Sequence, residues 1–319
     1  MNSEAPLRNV VVFGAGGTNI GHHVVKALAA KPESFNVSII ARESTKSTFP
    51  VGVEVQYIDD ALVHDDLVSA MRRAGADLLV SAVGSSNDIV AVEEKLIDAA
   101  VEAKVRRFLP SEYGLNNTHP AARALCPIFD AKGRVVEILR EKEYTGLTWT
   151  AVPTGLWLDW TLDPNICFAD INIKAHTAAL WGAGEHTLSW STLPWAAEGI
   201  ARILLSEPSK TANKVVPIRA FEASQTDVLA ALEKIESPGV KYEIIKHFDA
   251  EEVIGKAKAS WCENKDTPSA LWLVKAGLLS HGYGSDLVHE AIVQVGNEYL
   301  DLPELRLEDV VEQAVKAWA

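Results

Sequence analysis

The feature that most constrains this chain is an apolar strand that runs directly into a glycine cluster near the N-terminus. Residues 9–13 read NVVVF and residues 14–21 read GAGGTNIG. A helical pattern follows at once, with Val24, Val25 and Leu28 on one face. Glycines let a backbone turn sharply against a pyrophosphate, and the N–H groups that open the next helix attract phosphate. The order of strand, glycine loop and helix therefore predicts a dinucleotide site, against the alternative of a plain strand–helix turn.

Strand and helix patterns alternate through the first half of the chain. Further strands are predicted at residues 36–41, 53–57, 77–83, 107–110 and 148–153, and helices at 62–74, 88–103 and 127–142. Such alternation is typical of a doubly wound parallel sheet, the Rossmann arrangement of the α/β class. We predict a cofactor-binding domain at residues 1–155 and a smaller C-terminal substrate lobe at 156–319, parts of which could return to the main sheet.

The second half has a different character. Six of the nine tryptophans fall between Trp149 and Trp195, and they either pack a core or line a pocket for a flat aromatic substrate. Trp157 and Trp160 are the candidates for substrate contact. Two apolar segments flank residues 182–185 (GAGE), which predicts a β-hairpin.

Composition excludes several classes of function. The formal charge of −13 disfavours nucleic acid and anionic membranes as partners. Three scattered cysteines indicate neither a disulfide framework nor a zinc site, and no metal-ligand spacing is present. The short polar N-terminus and the lack of a long apolar run predict a cytoplasmic protein. We expect a small-molecule substrate and a monomer or homodimer.

Ligands of a doubly wound sheet bind at the carboxyl ends of its strands, where several candidate residues fall. Arg42 follows the second strand, at the place where an NAD enzyme carries an acidic residue for the ribose. An arginine there suits a 2′-phosphate, with help from Lys46, so the predicted cofactor is NADPH. The alternative for Arg42 is a solvated charge at a strand end.

The other predicted cofactor contacts share a position in the glycine loop or at the end of a strand. They are Gly14, Gly16, Gly17, Thr18, Asn19, Ile20, Ala82, Val83, Gly84, Pro110, Ser111, Glu112, Pro153, Thr154 and Gly155. Tyr113 is a candidate substrate contact. His281 and Tyr283, in the segment HGYG, are candidates on a loop that could cover the substrate.

Three segments resemble a known family. Residues 108–114 (FLPSEYG), 129–132 (FDAK) and 134–137 (RVVE) are similar to the isoflavone reductase-like branch of the NmrA-like family, which are atypical short-chain dehydrogenases. That branch includes pinoresinol–lariciresinol and phenylcoumaran benzylic ether reductases and many fungal members. The resemblance implies a Rossmann fold, NADPH and, in the FDAK segment, Lys132 as catalytic acid/base. A lysine fits this role where desolvation lowers its pKa. Lys132 is also a candidate contact to the nicotinamide ribose of the cofactor.

The chain departs from related patterns at two places. Ile128 stands four residues before Lys132, where short-chain dehydrogenases usually carry tyrosine, so that tyrosine relay is absent. The family's glycine loop reads GxxGxxG, but here Ile20 takes the third position and Gly21 follows it.

The resemblance implies an NADPH-dependent reductase of an aromatic or polyketide-like molecule in secondary metabolism, with Lys132 handling the proton. Two alternatives stay open. One is an NADP(H)-sensing regulator of the NmrA type that acts through protein partners. The other is a non-redox isomerase or cyclase on the same fold.

Overall fold

The computed structural model describes residues 6–84, 88–236 and 239–318. The elements up to the end of the sixth strand are β1 (Asn9–Phe13), α1 (Ile20–Ala29), β2 (Asn36–Arg42), β3 (Glu54–Ile58), α2 (His64–Arg73), β4 (Leu78–Ser81), α3 (Ile89–Glu102), β5 (Arg107–Leu109), α4 (Pro120–Leu125), α5 (Pro127–Lys142) and β6 (Thr148–Ala151). A 3-10 turn at Glu143–Thr145 joins α5 to β6.

The remaining elements are shorter on average. They are β7 (Leu156–Trp157), α6 (Leu158–Thr161), β8 (Ile171–Asn172), β9 (Thr177–Trp181), β10 (Leu188–Ser191), α7 (Leu193–Leu205), α8 (Pro208–Thr211), β11 (Lys214–Val215), β12 (Phe221–Ala223), α9 (Gln225–Ile235), β13 (Glu243–Phe248), α10 (Ala250–Asn264), α11 (Thr267–Leu279) and α12 (Leu307–Trp318).

The main sheet has the order β11-β6-β5-β4-β1-β2-β3 among the described strands, and its neighbours pair in parallel. The predicted α/β class and parallel sheet are confirmed. The strand order reverses between β1 and β4, where Phe13 is in register with Ser81. The carboxyl ends of strands at such a reversal are where doubly wound sheets bind their ligands.

Apolar residues on the strands explain why this sheet is buried on both faces. Val10, Val11 and Val12 of β1 are at most 1% exposed, as expected of a central parallel strand covered by helices. On one face, buried residues of α2, α3 and α5 form the core with the strands; Met71, Leu96 and Val136 are examples. A rigid sheet therefore holds the strand ends in fixed positions.

The chain forms two compact units, and neither is continuous in sequence. The first unit contains Met1–Glu112, Ala131–Val152 and Ala197–Val216, and the second contains Tyr113–Asp130, Pro153–Ala196 and Pro217–Ala319. The return of residues 197–216 to the first unit places β11 beside β6 in the main sheet. A domain boundary at residue 155 stays a prediction.

The second unit contains two small sheets among its described strands, with the orders β12-β10-β7 and β13-β9-β8. The predicted hairpin at residues 182–185 is wrong, because β9 and β10 belong to different sheets. β9 pairs instead with β13 and β8, and β10 pairs with β12 and β7. In the connection, Gly184 is buried, and a Cβ there would lie 3.0 Å from Leu180 Cδ2.

Among the residues that the structure describes, we find no helix long and apolar enough to cross a membrane.

Candidate active site

The glycine loop turns sharply between β1 and α1 because two glycines allow close backbone contacts. Gly14 has φ +88°, and a Cβ there would lie 2.5 Å from the Ala82 carbonyl oxygen at the end of β4. A Cβ on Gly21 would lie 2.6 Å from the Gly14 carbonyl oxygen. Asn19 caps α1: its Oδ1 accepts from the His22 N–H at 3.1 Å, and its Nδ2 donates to Gly14 O at 2.8 Å. Gly21 therefore gives the close helix–strand packing expected of the third loop glycine, one residue later than the usual spacing.

A cavity of about 200 Å³ lies beside this loop. Gly14 and Gly16 line it from the loop, and Arg42, Ser44 and Thr45 line it from the segment after β2. The structure thus brings the first loop glycines and the arginine to one cavity. The other predicted loop contacts and Lys46 are not among its lining residues: Gly17 is half-buried, Thr18, Asn19 and Lys46 are exposed, and Ile20 is buried in α1.

Arg42 has hydrogen-bonding capacity left for a ligand. Its guanidinium carbon lies 5.7 Å from the centre of the Phe13 ring. Its Nε is buried, and it finds no hydrogen-bond partner within the described part of the chain. A buried guanidinium N–H without a partner is costly, and an oxyanion in the cavity would satisfy it.

Hydrogen bonds join the carboxyl ends of β1, β4 and β5 beside the loop. The Ala82 N–H donates to Phe13 O at 2.8 Å, and the Ser111 hydroxyl donates to Val83 O at 2.8 Å. Ala82, Pro110, Ser111 and Glu112 are buried, Val83 is half-buried and Gly84 is exposed. These predicted residues therefore lie at the carboxyl ends of neighbouring strands of the first unit's sheet.

Lys132 lies on α5 and is only 7% exposed. Burial lowers the pKa of its ammonium group, while the negative charges of Glu112 and Glu93 act in the opposite direction. A desolvated lysine with a lowered pKa can exchange a proton near neutral pH, which an exposed lysine does poorly. Ile128, four residues earlier on the same helix, is buried and apolar.

Glu93 on α3 is a buried acid at this site. It is 1% exposed, and its Oε1 accepts from the Ser81 hydroxyl at 2.8 Å and from the Ser111 N–H at 3.1 Å. Burial raises the pKa of its carboxyl to about 7, although these hydrogen bonds and the charge of Lys132 lower it. Buried clusters of titratable groups whose pKa values are shifted toward neutrality are typical of catalytic sites.

In the second unit, the segment after β6 turns against Gly114. The N–H groups of Thr154 and Gly155 both donate to Gly114 O, at 3.1 and 3.0 Å. The Trp157 indole N–H donates to Thr154 Oγ1 at 3.0 Å. Pro153, Thr154, Gly155 and Tyr113 are all buried.

The tryptophans divide into core residues and partly open ones. Four of the six between Trp149 and Trp195 are at most 7% exposed and donate their indole N–H to internal acceptors: Trp149 to Glu143 Oε1, Trp181 to Asp170 Oδ2, Trp190 to Ala223 O and Trp195 to Pro303 O. Trp157 and Trp160 are half-buried, with ring centres 6.2 Å apart, and Trp160 lies 5.2 Å from Phe168. Core packing therefore accounts for the first group, whereas the second presents aromatic surface.

His281 lies on an exposed loop, where its Nδ1 pairs with Glu290 at 2.7 Å. Its ring makes an edge contact with His186 at 5.6 Å. Tyr283, two residues later, is half-buried. Within the second unit this histidine is thus engaged by a carboxylate, and its predicted contact with substrate stays a prediction.

Comparisons with known proteins place this geometry in a family. The NmrA-like family profile matches residues 7–256. The chain is also 35% identical to the oxidoreductase aprR of Aspergillus flavus, over 96% of this chain and 98% of that protein. The chain belongs to the NmrA-like family. The resemblance stated from the FLPSEYG and FDAK segments, including its fungal character, is confirmed, and the chain is an oxidoreductase.

Solved structures show the same fold as this NmrA-like oxidoreductase. AtPrR2 with NADP+ and (+)pinoresinol superposes with a TM-score of 0.71 at 20% identity, covering 97% of this chain and 99% of that one. An isoflavone reductase superposes with a TM-score of 0.69 at 21% identity, covering 96% of this chain and 99% of that one. At these identities the likeness concerns the fold.

Sequence reasoning missed Glu93. The one available signal was its position, because Glu93 falls on the apolar face of the predicted helix at 88–103, four residues after Ile89 and three before Leu96. An acid on a buried face must be hydrogen-bonded or paired, so its place in the helical pattern indicated a partner without naming it.

Proposed function

We propose that this NmrA-like oxidoreductase is an NADPH-dependent reductase of an aromatic or polyketide-like small molecule of secondary metabolism. Lys132 is its general acid/base. The observation that carries the proposal is the buried Lys132 beside Glu112 and Glu93, in the same unit as the glycine loop and Arg42.

The residues of the first unit fit NADPH. Gly14 and Gly16 line a cavity with Arg42, whose buried Nε has no hydrogen-bond partner among the described residues. The first turn of α1 carries no acidic residue that would repel a phosphate. Arg42 would hold the 2′-phosphate and the glycine loop the pyrophosphate. The fold neighbour AtPrR2 was solved with NADP+, which supports this assignment.

Lys132 supplies the proton that accompanies reduction. When bound, NADPH supplies a hydride to the electrophilic carbon of the substrate. As the electron pair of the reduced double bond moves to the neighbouring atom, or as the C–O bond of a benzylic ether breaks and its electron pair goes to the oxygen, Lys132 Nζ gives that atom a proton and becomes neutral. Burial favours this step because it lowers the pKa of Lys132 and so makes the ammonium group a better donor. Ile128 cannot substitute, since its side chain carries no ionisable proton.

Aromatic side chains in the second unit support an aromatic substrate. Trp157, Trp160 and Phe168 form a contiguous set of half-buried rings. Such rings bind flat ligands by stacking and edge contacts. Among the fold neighbours, AtPrR2 was solved with (+)pinoresinol.

The test follows NADPH absorbance with a panel of aromatic ketones, conjugated alkenes, imines and benzylic ethers. In the Lys132→Met variant we expect kcat to fall at least about 100-fold, the low end of general acid–base contributions. NADPH affinity should stay within about threefold, because the variant keeps the glycine loop and Arg42. A fully active Lys132→Met enzyme would refute the role of the lysine.

Lys142→Met is the matched control. Lys142 ends the same helix and pairs with Asp98 at a partly exposed position, so its loss should leave kcat unchanged. NADPH binding without oxidation of NADPH by any compound of the panel would favour a sensor. Conversion of a compound without NADPH oxidation would favour an isomerase or cyclase.

A further inference from the structure

We propose that Glu93 is a positioning residue that acts through Lys132: its buried carboxylate, tethered to the ends of β4 and β5, keeps the proton on Lys132 Nζ until the substrate needs it. This inference rests on the proposed role of Lys132. Glu93 would be a second acid at the site besides Glu112, and it lies on α3, which contains none of the predicted site residues.

Hydrogen bonds from two strand ends hold the Glu93 carboxylate. Glu93 Oε1 accepts from the Ser81 hydroxyl at 2.8 Å and from the Ser111 N–H at 3.1 Å, so one oxygen is fixed by two strand ends. Ser111 is itself fixed, because its hydroxyl donates to Val83 O at 2.8 Å. The carboxylate therefore cannot swing away, and its position relative to the sheet edge is set by backbone and hydroxyl donors.

The other carboxylate oxygen of Glu93 is in a different environment. Oε2 is buried and has no hydrogen-bond partner among the residues that the structure describes. A buried carboxylate oxygen without a partner is unfavourable unless a positive charge or a proton offsets it. Lys132 is the cation that acts on Glu93, and Glu93 and Glu112 are the acids that act on Lys132.

The charge of Glu93 affects whether Lys132 keeps its proton. Burial of a lysine without a counter-charge can lower its pKa by several units, which would leave it neutral and unable to donate at physiological pH. An anion nearby favours the charged lysine, so loss of the Glu93 charge should lower the pH at which Lys132 loses its proton. Because Lys132 and Glu93 interact, the two groups should titrate as a pair rather than independently.

Glu93→Gln separates this electrostatic role from a structural one. Glutamine has the same shape and keeps a carbonyl oxygen to accept from Ser81 and Ser111, but it carries no charge. Glu94→Gln is the matched control, since Glu94 is the next residue of α3 and is exposed. We expect the alkaline limb of the kcat profile to move to lower pH by about one unit in Glu93→Gln, which is tenfold in proton affinity. It should not move in Glu94→Gln, and NADPH affinity should be unchanged in both.

A second readout does not depend on turnover. The Nζ resonance of Lys132 in protein carrying isotope-labelled lysine, assigned by its loss in Lys132→Met, reports protonation directly. In the wild type we expect the chemical shift of Lys132 Nζ to show two inflections with pH: a large one where Lys132 titrates and a smaller one where Glu93 titrates. This measurement needs no Glu93 variant. In Glu93→Gln the smaller inflection should vanish, and the midpoint of the Lys132 titration should move to lower pH. Ser81→Ala, which removes one hydrogen bond to the carboxylate, should shift the midpoint in the same direction by less.

The outcomes distinguish the two proposals. A single-step titration of wild-type Lys132, or an equal midpoint in wild type and Glu93→Gln, would overturn the role of Glu93. A shifted midpoint together with a fully active Lys132→Met enzyme would support the coupling and overturn the catalytic role of Lys132.

Discussion

Two cations of the first unit lie in different environments. Arg42 is half-buried, lines a cavity and has an Nε without a hydrogen-bond partner among the described residues, whereas Lys132 is buried and interacts with the carboxylates of Glu112 and Glu93. A guanidinium stays charged and suits a bound oxyanion, while a desolvated ammonium exchanges its proton. Substitution of Arg42 should therefore affect cofactor affinity, and substitution of Lys132 should affect turnover.

We expect Arg42→Ala to weaken NADPH binding by about 10- to 100-fold, since hydrogen bonds to charged groups contribute about 1.5–3 kcal/mol. NADH affinity should change by less than about twofold, because NADH lacks the 2′-phosphate. Fluorescence titration of both cofactors measures this. Lys46→Ala tests the second predicted contact: Lys46 is exposed and is not among the cavity's lining residues, so we expect a smaller loss of NADPH affinity than in Arg42→Ala. An equal loss of affinity for NADPH and NADH in Arg42→Ala would count against a 2′-phosphate contact.

How far single residues were predictable depended on local context. Arg42 and Lys132 could be identified because each stands in a short segment whose position or likeness carries information. Glu93 could not, because its partners Ser81 and Ser111 come from other strands and meet it only in the folded sheet. A burial pattern indicates that an acid is inside, but it does not say which groups surround it.

At the scale of elements, the parallel sheet was readable because its strands are buried on both faces and appear as apolar runs. The predicted helix at 127–142 has the observed bounds of α5. The hairpin at 182–185 was misjudged because β9 and β10 each pair with strands distant in sequence. Local turn chemistry favoured a hairpin, and long-range pairing decided otherwise.

The glycines of the helices provide a test at this scale. Gly21→Ala should destabilise the protein by about 1–3 kcal/mol and weaken NADPH binding, because the new Cβ would lie 2.6 Å from the Gly14 carbonyl oxygen. Gly255→Ala should stabilise it by about 0.5–1 kcal/mol, since Gly255 lies in α10 and no atom of the described residues comes within 4 Å of its Cβ position. Urea unfolding measures the change in the free energy of unfolding of each variant. An unchanged stability of Gly21→Ala would contradict the close packing of α1.

At the scale of the whole molecule, the first unit depends on a segment that lies far along the chain. Asn213 Oδ1 accepts from the Trp149 N–H at 3.0 Å, and the Thr150 hydroxyl donates to Thr211 O at 2.9 Å. Val215 packs against the main core. This return was hard to read from the sequence because β11 is two residues long. A predicted boundary at residue 155 separates these partners from the sheet they complete.

The consequence can be measured with two fragments. Residues 1–155 alone should be less stable than the same residues joined by a long glycine–serine linker to residues 193–216. We expect a difference of at least about 3 kcal/mol in the free energy of unfolding, because the short fragment loses several buried hydrogen bonds and the apolar face of α7. In particular, Arg107, which is 3% exposed, loses its contact from Nη1 to the Thr211 hydroxyl at 3.1 Å. Urea unfolding followed by circular dichroism measures the difference. Equal stability of the two fragments would show that residues 1–155 fold without the returning segment.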